Sequence, residues 1–137
     1  MNCGAAIYGI LSADSTLRAM LATETSIFPD VAIQGANNPC IVYSETTSEF
    51  SDTKSGVSKL DISFVQIDIY TNTIGERKTI SERVRTLLDR YMGTVNSINL
   101  QSVQLINSIS LVDAERDFDD SLIFRQTMDF KIRQIIN

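Results

Sequence analysis

The sequence contains no histidine and no tryptophan, only two cysteines, Cys3 and Cys40, and only two prolines, Pro29 and Pro39. Without histidine the commonest general base, the commonest metal ligand and every Ser/His or Cys/His nucleophile arrangement are excluded. Two widely spaced cysteines do not make a zinc site, and with no export signal they are expected to be free thiols. The six glycines, at positions 4, 9, 35, 56, 75 and 93, form neither a dinucleotide fingerprint nor a phosphate loop. Basic residues are scarce: 12 Lys and Arg against 17 Asp and Glu give a net charge of −5. That balance carries no nucleic-acid footprint and repels DNA phosphate, which argues against DNA binding but not against a conduit through which DNA slides without sticking. The N-terminal stretch has no basic region followed by an apolar run, so no secretory leader is expected. No stretch approaches the ~20 apolar residues of a membrane span.

What is present is an ordinary globular composition, 137 residues with 43% hydrophobic and 21% charged, expected to form one domain over 1–137. Apolar residues from Ile7 to Leu21 recur at helical spacing with a break near Ser12–Ser15, where Asp14 is placed to cap a second short helix. In "IFPDVAIQGANNPCIVYSE" the two prolines bracket a turn-forming loop, and Cys40 to Glu45 reads as a strand opened by Pro39. Ser44 to Lys59 is polar and rich in Ser and Thr: a long connection or the tip of an extended hairpin arm. "LDISFVQIDIYT" is a second strand whose phase change at Phe64–Val65 suggests a bulge or burial on both faces. Thr73 and Glu76 form a capping box opening an amphipathic helix through Ile80, Val84, Leu87, Leu88 and Tyr91, with Gly93 placed to end it. The last third alternates with period two, predicting two long strands, the first including Val103, Leu105, Ile109 and Leu111. The expected fold class is α+β, a mainly antiparallel sheet with helices packed on one face, in the order α-α-β-β-α-β-β.

The acid run Asp113, Glu115, Asp117, Asp119, Asp120 is the one tempting constellation. Its first three members match the opening ligand positions of an EF-hand, but Phe118 stands where glycine is required and Phe124 where the bidentate Glu belongs, so no metal is expected. The run is a solvated hairpin end or a charged rim for partners, with Arg116 and Arg125 able to meet the acids within the chain or across an interface. Cys40, beside Ile41-Val42-Tyr43, reads as a small buried hydrophobe, since no cationic neighbour activates it. The four tyrosines sit on different elements without a basic surround, and read as core or edge aromatics. The candidate interface comprises Glu45, Glu49, Phe50, Asp52, Lys54 and Lys59 on the polar arm, and Asp113, Glu115, Arg116, Asp117, Asp119, Asp120 and Arg125 at the other end. No catalytic residue, cofactor site or metal site is expected.

The ordered set "AAIYGILSADSTLRAML", "IFPDVAIQGANNPCIVYSE", "VQIDIYT" and "ISERVRTLLDRYM" resembles the small tail-completion, or tail-terminator, proteins of long-tailed bacteriophages. Those proteins share an "AIY…L" helix, a "D…L…L" short helix, a "PQG…PYIVY"-like strand start, a "VQIDVY"-like strand and a helix ending in "LLD". The resemblance spans nearly the whole chain and is strongest over 5–43 and 64–91; Ile33 and Cys40 depart from the family's usual proline and tyrosine. It implies a non-enzymatic virion protein at the head-proximal end of the tail, assembled in the host bacterial cytoplasm. There a homo-oligomeric, usually hexameric, ring caps the tail tube, ends its polymerisation and meets the head-side connector. DNA would pass through the lumen without specific binding, and no membrane is involved. The alternatives are a neck or head-tail connector protein of the adjacent ring and, in a different class, a small non-viral binding or adaptor domain. An enzyme is the least supported reading.

Overall fold

A computed structural model describes residues 3–22, 26–30, 39–53, 56–114 and 122–135, with the backbone alone at 47–53, 56–61, 113–114, 122 and 135. The chain opens with α1 (Cys3–Ala13) and α2 (Ser15–Met20), followed by strands β1 (Ile27–Pro29), β2 (Cys40–Thr53) and β3 (Gly56–Thr71). Then come α3 (Ile74–Leu88), β4 (Gly93–Val95), β5 (Ile98–Ala114) and β6 (Leu122–Ile135). The strands form one six-stranded sheet in the order β1-β2-β3-β6-β5-β4.

This arrangement corrects the expected fold class. The sheet is mixed and curls into a half-barrel, not a mainly antiparallel sheet layered on one face by helices. Strand length gives the reason. A 17-residue strand such as β5 extends ~55 Å while the 15-residue α3 covers ~22 Å, so three short helices cannot layer the sheet, and long strands coil. The expected order also lacked β1 and β4. β1 runs parallel to β2, pairing Ile27 with Ile41 and Pro29 with Tyr43, and is secured by the Ile41 N–H donating to the Ser26 carbonyl at 2.9 Å.

The core joins inward side chains of the half-barrel to the apolar stripes of the helices. Alternation along β3 turns Ser63, Val65, Ile67, Ile69 and Thr71 inward, all buried. Ile41, Val103, Met128, Phe130 and Ile132 continue that surface from the neighbouring strands. Against it pack Ile7 and Leu11 of α1, Leu17 of α2, and Ile80, Val84 and Leu88 of α3. The predicted caps form: Asp14 accepts from the Leu17 N–H, and Thr73 accepts from the Glu76 N–H. α3 does not end on Gly93. It closes at Leu88, with Asp89 extended and Arg90 in the left-handed region at φ 65°; Gly93 lies in β4. The bulge suggested for β3 belongs to its partner, where register shifts between Glu45 and Thr47.

Candidate functional site

The candidate residues fall at two places on the sheet. β2 and β3 form one antiparallel ladder from Cys40↔Tyr70 to Thr53↔Gly56. Glu49, Phe50 and Asp52 lie in it with backbone partners Ile62, Asp61 and Val57, and Lys59 lies in β3. Lys54 is outside the described residues. The Glu45 side chain accepts the Gly4 N–H at 3.2 Å. α1 has no acidic residue in its first turn, so Glu45 brings a carboxylate from another element to the positive end of that helix. Asp113 lies near the end of β5, paired with Ile123. Glu115, Arg116, Asp117, Asp119 and Asp120 lie outside the described residues.

Arg125 sits in β6 on the sheet face away from the helices, where it joins a polar cluster. Asp68 is buried, and its Oδ1 accepts from Thr127 Oγ1 at 2.7 Å, Arg125 Nη2 at 3.1 Å and Arg125 Nε at 3.3 Å. Its Oδ2 accepts from Gln66 Nε2 at 3.0 Å, and the Arg125 guanidinium stands 5.4 Å from the centre of the Tyr70 ring. A buried carboxylate needs such partners. The result is a cross-strand clamp joining β3 to β6. The sequence reading paired Arg125 with the nearby acid run and missed Asp68; the signal was its polar side chain at an outward position of an apolar strand.

A second surface went unread. Ile106, Ile109, Leu111 and Val112 of β5 are all exposed, between 37% and 55%. A register shift between Leu105 and Asn107 leaves Ile106 at the bulge and turns Ile109 and Leu111 to the outer face. Val103 and Leu105 face the core opposite Ile132 and Phe130. After the extra residue, Ile109 and Leu111 lie opposite Thr127 and Arg125, on the other face. The half-buried Arg77 of α3 spans this region, donating to the Leu111 carbonyl at 3.1 Å and standing over the Phe124 ring.

Burial pushes the Cys40 thiol above its usual range, which keeps it protonated and unreactive. Burial, with Tyr8 and Asp30 nearby, likewise raises Tyr43. Among the described residues no group of three or more Cys, Asp or Glu side chains could hold a metal ion, and no helix is long and apolar enough to cross a membrane.

The fold recurs in a solved virion structure. The chain superimposes on a chain of the structure titled "Virion of native gene transfer agent (GTA) particle" with a TM-score of 0.68, at 18% identity, covering 97% of this chain and 96% of that one. The profile of the tail completion protein gp17 family matches residues 5–134, and the chain belongs to that family of structural tail proteins. No curated protein matches the sequence.

Proposed function

We propose that this protein caps the finished tail tube as a ring, ends tube polymerisation and offers the joining surface to the head-side connector. The observation that carries the reading is the family match over residues 5–134. The structure is consistent with it: the β2–β3 ladder continues ten residues past Tyr43, where β1 stops, a length of ~33 Å. We assign subunit and partner contacts to this arm and to the Asp113–Ser121 end. The ring sits at the head-proximal end of the tail and has six-fold symmetry, and its acidic subunits let DNA pass without binding it. The chain forms a single domain from which the arm projects.

The test combines native mass spectrometry with electron microscopy of tubes grown from tail-tube protein. Wild-type protein should run as a ring and narrow the tube-length distribution. A chain lacking Phe50 to Ser58 should keep the wild-type circular dichroism spectrum but lose ring mass and length control. Unchanged length control in that variant would sink the arm's role. Attachment to connector protein alone, with no effect on tube length, would favour a neck protein.

A further inference from the structure

We infer that the open edge of β5 pairs with the β2 edge of a second copy of this chain, head to tail, so that the sheet continues from subunit to subunit. The inference rests on the ring reading and names the surface that makes the ring.

β5 is a terminal strand for most of its length. β4 pairs with it only at Ile98–Leu100. The next outward groups are taken by the loop after α3, where the Arg90 N–H donates to the Val103 carbonyl and Asp89 Oδ1 accepts from the Leu105 N–H. From Ile106 to Ala114 no strand among the described residues pairs with the edge away from β6. Isolated proteins blunt such edges with charge or proline. Here the sequence has no charged residue from Tyr91 to Val112 and no proline after Pro39. Instead Ile109 and Leu111 are exposed on one face and Val112 on the other. A strand with no charged residue of its own from Ile106 to Val112, reached by Arg77 of α3 at the Leu111 carbonyl and with apolar side chains exposed on both faces, calls for a covering strand.

The same chain supplies one. Among the described residues β1 covers β2 only at Ile41–Tyr43, and no other strand pairs with the outer edge of Ser44 to Thr53 at the opposite border of the sheet. That run carries Glu45, Glu49 and Asp52 and no basic residue, so two β2 edges repel each other, while β5 carries no charge from Ile106 to Val112 to repel one. Direction also fits. β2–β3, β3–β6 and β6–β5 are each antiparallel, so β5 runs opposite to β2, and a neighbour in the same orientation presents β2 antiparallel to it. The two borders differ, which makes the contact heterologous, the kind that closes into rings. The open runs lie towards opposite ends of the sheet, offset by seven or eight residues or ~25 Å. Strands in such a ring are inclined to its axis, as in closed barrels.

Two variants test this. Ile109→Glu with Val112→Glu blocks the β5 edge, and Thr46→Pro, at an exposed bulge position, blocks the β2 edge; Ser44→Arg replaces the proline variant if its thermal melt departs from wild type. Each alone should lose the ring peak in native mass spectrometry and run as a single chain. Mixed one to one they should form a two-chain species, because each keeps the edge the other lacks. A two-chain species from the β2-edge variant alone would mean β5 pairs with itself and would overturn the head-to-tail assignment. Rings from both variants at wild-type yield would overturn the edge pairing and leave the ring reading standing. A wild-type protein that stays a single chain at high concentration, alone and with tail-tube protein, would overturn both.

Discussion

Asp14 is the residue on which three helices converge. It stands between α1 and α2 with an extended backbone, accepts the Leu17 N–H at 2.9 Å, and receives Arg83 of α3 through Nε at 2.8 Å and Nη2 at 2.7 Å. The Arg83 hydrogen bond, partly opposed by burial and aided by the Leu17 N–H, holds its carboxyl below the ordinary value of 3.8. Asp14→Ala removes both the cap and the ion pair and should cost about 1–2 kcal/mol in urea unfolding at pH 7. Asp14→Asn keeps a good cap and loses the charge, so it should cost less. Because the native pKa is depressed, the charge-dependent part is fully present above 3.8 and fades as pH falls from there through the native value. Wild type and Asp14→Asn should therefore converge in stability at the acid end. A gap that persists below that window would show that Arg83 matters through packing alone.

At the scale of elements, local signals were legible and remote ones were not. The caps at Asp14 and Thr73 and the α3 stripe were read correctly because partners three or four residues apart decide them. The β5 bulge is decided by strands more than twenty residues away, so Ile109 and Leu111 were assigned to the face of Val103 and Leu105 and turn out on the opposite one. β1 and β4, three residues each, are too short to show a period. Of the candidate site, Arg125 was legible as a charged strand position, but its partner Asp68 lies 57 positions away. Glycines test the docking of these elements. A Cβ at Gly9 of α1 would come within 2.8 Å of Val95 and of Asn96, whose amide donates to the Ala5 carbonyl. Gly9→Val should thus cost about 1–3 kcal/mol by pushing α1 off the turn after β4. Gly75 in the first turn of α3 meets nothing within 4 Å, and Gly75→Ala should stabilise by about 0.5–1 kcal/mol. Urea midpoints moving in the same direction for both would contradict this account of how α1 docks.

For the whole molecule, folding and assembly are coupled if the native state is a ring. Anything that binds the folded chain but not the unfolded one stabilises it by mass action, and here the ligand is the chain itself. For a six-fold ring melting to single chains, a tenfold rise in concentration adds ~1.1 kcal/mol per subunit, which for 137 residues raises Tm by about 4 °C. A protein that stays a monomer shows no such shift, and the variant with glutamates at 109 and 112 should show none. Salt then separates two kinds of contact. Subunits of net charge −5 repel one another, and an interface made by backbone pairing and the apolar β5 edge gains when salt screens that repulsion. An interface made by ion pairs between the acid run and Arg116 or Arg125 weakens under the same screening. Scanning calorimetry at two protein concentrations, in low and in high salt, therefore reads both the assembly and its chemistry. The edge-paired ring requires a concentration-dependent Tm that rises, not falls, as salt is raised.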